Sequence, residues 1–239
     1  MKTTPSNLIR WTGLAAMASG ILFVVMQPIH PPDVLASLTT PMWAIVHYVG
    51  IAMSLLGLIG LAGLYARHAE EAGWLGLVGY LLFSLFYVIS MAFQFVEAFF
   101  SPLLATAAPT FAEGLLGLAS GTVSGVDLGA LPAVHGVSGV LYLLGPLVFG
   151  IAMVRARILP RWTAGALAVV GPVSALMAAL LPHEYERIAA VPVGIALTCL
   201  GYALWSERPA RAAESVPGGA AAAPRSAPRA VLATQASEA

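Results

Sequence analysis

Apolar positions run along this chain in six long blocks, at Leu14–Ile29, Trp43–Ala66, Leu75–Phe95, Ala133–Val154, Trp162–Leu181 and Ile188–Trp205. About 20 consecutive apolar residues cross the hydrocarbon layer of a bilayer as a helix. The pattern therefore predicts an all-α integral membrane protein with six transmembrane helices. The first block is short, but Gln27-Pro28-Ile29-His30-Pro31-Pro32 follows it instead of a small-residue cleavage site, so it reads as an uncleaved anchor. All five tryptophans (Trp11, Trp43, Trp74, Trp162 and Trp205) fall at block ends, where interfacial belts form.

Polar positions between the blocks set the expected orientation. Lys2, Arg10, Arg67, Arg155, Arg157, Arg161, Arg208, Arg211, Arg225 and Arg229 occupy alternate connections, and Arg187 alone lies in the other set. By the positive-inside rule both termini are expected in the cytoplasm. The opposite side then receives Asp33, Glu97, Glu113, Asp127, Glu184 and Glu186, with His30, His47, His135 and His183; His68 alone is cytoplasmic. Residues 1–206 form the expected transmembrane domain, with a long outer loop over 101–130. Phe111, Leu115, Leu116 and Leu118 make a short helix in that loop, lying on the bundle surface or closing over it as a lid. From 207 to 239 the composition turns to Ala, Pro, Ser, Arg and Gly, which predicts a disordered cytoplasmic tail.

Composition agrees and removes several function classes. A mean hydropathy of +0.87 with 9% charged residues is far from a soluble domain. Zero net charge supplies no field for nucleic acid, so none is expected as a partner. The single cysteine, Cys199, excludes disulfides and cysteine-based metal centres, and the single lysine, Lys2, excludes Schiff-base chemistry within the bilayer. The blocks hold no Asp, Glu, Lys, Arg or His in their middle and inner thirds, which disfavours ion-coupled transport. Pro146 and Pro172 are read as kinks. Abundant Ala, Gly and Arg point to a bacterial plasma membrane.

A shift of 88 residues superposes His47 on His135, Leu55-Leu56-Gly57 on Leu143-Leu144-Gly145, Arg67 on Arg155 and Trp74 on Trp162. Spans two and three would then be a parallel repeat of spans four and five, with both histidines at one depth on related helices. Two independent hairpins with similar ends would give the same matches. Gly57, Gly60 and Gly63, with Ala16 and Gly20, are expected to allow close helix approach.

Span three carries the clearest polar stripe. Ser84, Tyr87, Ser90, Gln94 and Glu97 share one helical face from mid-membrane to the outer edge, and such a face turns into a bundle or a wet cavity. Gln27 and His30 end span one, and His183 and Glu184 end span five. Ser54 lies beneath His47, and Tyr142 beneath His135. Together they predict an outward-opening polar pocket.

Imidazoles and carboxylates from several helices are ligands for zinc, copper or iron, and two facing histidines ligate a b-type haem. In that reading His47 and His135 are the primary ligands. Glu97 is a third ligand or its acceptor, and His30, His183 and Glu184 are auxiliary. No HExxH, HxxxH or paired-histidine spacing supports it. A small accessory or scaffold subunit, its polar layer packed against a membrane-protein partner or lipid, is the first expectation. A metal- or haem-binding protein is the second, and a membrane-embedded hydrolase or isomerase acting on a lipid-like substrate the third.

Overall fold

A computed structural model describes residues 5–120, 125–181 and 183–207, and the described residues are mostly helical, with no strand among them. The main helices are α1 (Pro5–Ile29), α2 (Pro41–Phe95), α3 (Ser101–Ala107), α4 (Pro109–Ser120), α5 (Leu131–Ala156), α6 (Arg161–Leu180) and α7 (Val191–Ser206). Five helices among them are long and apolar enough to cross a membrane.

α2 is far longer than a bilayer requires, and it breaks once, at Gly73 (φ 54°, ψ −150°). That conformation belongs almost wholly to glycine. The two arms fold back on each other. A Cβ on Gly50 would strike Gln94, and one on Gly57 would strike Tyr87. Tyr65 and Tyr80 stack at 4.8 Å near the turn. The helix is continuous through Arg67 and His68, so Gly73 alone makes the connection expected between the second and third blocks.

Neighbouring elements then pack antiparallel in chain order. α1 meets the first arm of α2 where Gly60 faces Ala16, and the Ser19 hydroxyl donates to the Met53 carbonyl at 2.9 Å. The second arm meets α5: Gly79 lies against Phe149, Gly145 against Phe83, and the rings of Phe93 and His135 are 5.6 Å apart. Gly150 of α5 faces Ala168 of α6. α7 touches α6 and packs along α1, which closes the bundle. At the α1–α7 contact, a Cβ on Gly20 would lie 2.4 Å from the Gly194 carbonyl oxygen. In a bilayer, where lipid tails give helices no hydrophobic reason to associate, close backbone approach of this kind is a main source of helix–helix attraction. The expected role of Gly57, Gly60, Gly63, Ala16 and Gly20 is borne out.

Three expectations change. Residues 101–130 are not mainly loop: Pro102 and Pro109 start α3 and α4, each proline lying where its missing N–H costs nothing. Trp11, Trp74, Trp162 and Trp205 are exposed, but Trp43 is fully buried and is no interfacial anchor. Glu207, assigned to the tail, is held by Arg67 through paired contacts of 2.8 and 2.9 Å. The rest of the expected tail, 208–239, lies outside the described residues.

The 88-residue matches have unlike surroundings. His47 is 1% exposed, whereas His135 is exposed. Gly57 packs within its own hairpin, whereas Gly145 packs against the other one.

Candidate functional site

The polar groups at the end of the bundle away from Gly73 are organised by Trp43. Thr40 caps α2, its hydroxyl accepting from the Trp43 amide at 3.3 Å, and Pro41 begins the first turn. The Trp43 indole packs in a small core with Leu38 and with Ala112 and Leu116 of α4. Its Nε1–H donates to the Glu97 carbonyl at 2.9 Å. That carbonyl belongs to a π-helical turn, Val96–Phe100, at the end of α2. The tryptophan thus ties the two arms of α2 together and seats α4 over them.

One turn further along, His47 makes two polar contacts. Its Nδ1 lies 2.7 Å from the Trp43 carbonyl, and its Nε2 lies 3.0 Å from a Glu97 carboxylate oxygen. A carbonyl only accepts, so Nδ1 carries a proton. Nε2 faces the Glu97 carboxyl across that contact, so the buried ring has a polar neighbour at each nitrogen.

His30, at the end of α1, packs edge-on against His47 at 5.2 Å and against Trp43 at 5.4 Å. Its Nδ1–H donates to the Pro31 carbonyl at 2.7 Å, which leaves an Nε2 lone pair. Burial, and next the nearby Arg187 guanidinium, push this imidazole down from its ordinary 6.5 to about 4. It is neutral at pH 7. Arg187, in the 3-10 helix His183–Ala190, donates to Asp33, so this ion pair compensates itself.

A recess of about 260 Å³ opens beside these groups. Met26 of α1 and His30 just beyond it line one side; the second arm of α2 contributes Phe86, Ser90, Phe93 and Gln94. Val96 and Glu97 follow from the turn beyond it, Ser101 from the start of α3, and Leu115 and Leu118 from α4. His135 and Ser138 of α5 and Arg187 complete the wall. His135 is exposed while lining the recess, so the opening runs beside the outer half of α5. The side chains over α4 come from two of the leucines expected in a surface helix or lid.

The structure therefore brings together His30, Ser90, Gln94, Glu97 and His135. It does not bring every candidate in. His47 stands behind Glu97 and does not line the recess. Since His47 is level with Glu97 and His135 with Phe93, the two histidines differ in depth by one helical turn, about 6 Å. Gln27 donates to the Phe23 carbonyl at 2.9 Å, and Ser54 to the Gly50 carbonyl at 2.9 Å, each within its own helix. Tyr87 is buried deeper, in contact with the Phe83 and Phe86 rings, and Tyr142 packs on Phe86 at 5.2 Å. The Ser84 hydroxyl is buried away from the recess. The side chains of His183 and Glu184 lie outside the described residues. Among the described residues, no three of His, Cys, Asp and Glu gather closely enough to hold a metal ion.

Sequence reasoning passed over Trp43, Arg187, Ser101 and Ser138. Arg187 had a signal: it was the one basic residue against the charge pattern. Trp43 had none, because a tryptophan at a span end reads the same whether it faces lipid or a neighbouring helix.

Compared with protein-family models, curated proteins and solved structures, the chain matches none. The functional reading rests on the site itself.

Proposed function

We propose that this protein is a membrane-embedded binding protein whose rim recess takes up the polar end of a small amphiphile. The observation that carries this reading is the recess: hydrogen-bonding groups from several elements face one space floored by Met26, Phe86, Phe93 and Val96. At about 260 Å³ it falls below the ~300–1,000 Å³ of sites that enclose a drug-sized molecule. It fits a headgroup, and the chain attached to that headgroup leaves beside α5, where Val134 and Val137 are exposed.

In this reading the chain crosses the bilayer six times, with the Gly73 break separating the second and third crossings. Both termini lie in the cytoplasm by the positive-inside rule, and the recess opens on the other side of a bacterial plasma membrane. The segregation of charged contacts supports this: Arg10 donates to the Trp205 carbonyl and Arg67 pairs with Glu207 at one end of the bundle, and Arg187 pairs with Asp33 and His47 contacts Glu97 at the other.

The test is lipid analysis of protein purified in a polyoxyethylene detergent. Wild type retains about one single-chain amphiphile per chain, and Ser90→Trp, which fills the recess, loses it. Equal retention by both, or none by wild type, contradicts the proposal.

An accessory role for a partner helix is favoured by one observation. Pro132–Val137 of α5 are all exposed, and a Cβ on Gly136 or Gly139 would meet nothing within 4 Å among the described residues. Stoichiometric co-purification of a membrane protein, lost on Gly136→Trp, supports that reading; its absence removes it.

A further inference from the structure

The charges and lone pairs of the recess restrict what it holds. Arg187 is paired with Asp33, and the Glu97 carboxyl faces His47. Among the described residues, the guanidinium and the carboxyl that line the recess thus each already have a side-chain partner, and neither is left free to pair with a charged headgroup. Burying an uncompensated charge there would be costly, because water is partly excluded and nothing opposite answers it.

Hydrogen-bonding capacity narrows the choice further. Gln94 Oε1 is buried without a partner among the described residues, and the His30 Nε2 lone pair and the second Glu97 oxygen also accept. Arg187 and the hydroxyls of Ser90, Ser101 and Ser138 donate. A phosphate monoester is mainly an acceptor, so it would leave Gln94 unsatisfied and confront Glu97. An ammonium only donates, so it would confront Arg187. A hydroxyl both donates and accepts, and vicinal hydroxyls do so in two directions at once.

Resting on the recess as an amphiphile site, we propose that its ligand class is an uncharged, polyhydroxylated single-chain amphiphile, of which a monoacylglycerol is the simplest member. Gln94 and Glu97 receive the headgroup hydroxyl protons. Arg187 and Ser138 donate to the headgroup oxygens. Leu115 and Leu118 of α4 cover the first methylenes.

The experiment compares three probes with the same chain length, 1-oleoylglycerol, oleoyl lysophosphatidate and oleylamine, by native mass spectrometry of the full chain in a polyoxyethylene detergent. The expected result is binding of 1-oleoylglycerol at least tenfold tighter than either charged probe. Gln94→Leu should weaken it about tenfold, and Ser138→Trp should abolish it. Thermal melting is recorded for both variants; if Gln94→Leu is unfolded, Ser138→Trp carries the comparison. Equal or tighter binding of lysophosphatidate or oleylamine overturns the uncharged-ligand proposal and leaves the recess as an amphiphile site. Failure of all three probes to bind, or binding insensitive to Ser138→Trp, overturns both.

Discussion

His47 Nε2, on the first arm of the helix that reverses at Gly73, and a Glu97 carboxylate oxygen, in the π-helical turn that follows its second arm, stand 3.0 Å apart. His47 is 1% exposed and Glu97 about one-third exposed, so the imidazole depends on this carboxylate and on the Trp43 carbonyl for its polar partners. Removing the carboxylate leaves a buried ring nitrogen unsatisfied, which costs about 1–3 kcal/mol. Glu97→Ala should therefore lower the melting midpoint in detergent clearly, and Glu97→Gln, whose amide still reaches Nε2, should lower it less. Equal midpoints for Glu97→Ala and wild type would show that the contact contributes nothing.

Trp43 offers a comparison within one residue type. Trp43→Phe keeps most of the ring but removes the donor to the Glu97 carbonyl, at a cost of about 1–3 kcal/mol. Trp74 is 82% exposed, and Trp74→Phe should change little. Differential melting of the two variants decides the point. Similar values for both would mean that the buried indole bond does not hold the arms together.

At Gly73 the strain is purely conformational. An added Cβ would meet nothing within 4 Å, yet the backbone lies where L-residues are scarcely found. Gly73→Ala should cost about 1–3 kcal/mol. Gly136 also has open space around its Cβ position among the described residues and no positive φ, so Gly136→Ala is the control and should not destabilise. A neutral Gly73→Ala would mean that the turn is made differently.

His30 sets a pH response. Its folded-state value is pushed down to about 4 by burial, then by Arg187 and His47, against the opposing effects of the Pro31 carbonyl and Asp33. Between about 4 and 6.5 the unfolded chain holds this proton and the folded one does not, so stability rises with pH across that window. The His30 contribution is present above 6.5 and lost as pH falls toward 4. His30→Gln should flatten this part of the melting-versus-pH curve. An unchanged slope would show that another group is responsible.

Most helix positions were legible, because continuous apolar runs bounded by Arg, Pro and Gly leave little freedom in a bilayer. α5 and α6 begin and end within about two residues of the expected blocks. The shared face of Ser90, Gln94 and Glu97 was legible for the same reason, since helical spacing alone places them together. What neighbours do was not legible. Helix spacing could not show that Ser54 and Gln27 bond within their own helices, or that His47 sits behind Glu97, one turn nearer the rim than His135. Both depend on register between helices, which the Gly and Ala contacts set and which no single helix records.

The most direct measurement is thiol accessibility at Ser90. In a Cys199→Ser background, Ser90→Cys should react with a membrane-impermeant thiol reagent in spheroplasts and not in inverted vesicles. Val88→Cys, on the exposed lipid-facing side of the same arm, should react in neither. Reaction at Ser90 only in inverted vesicles, or none in either preparation, would contradict an outward-opening polar recess.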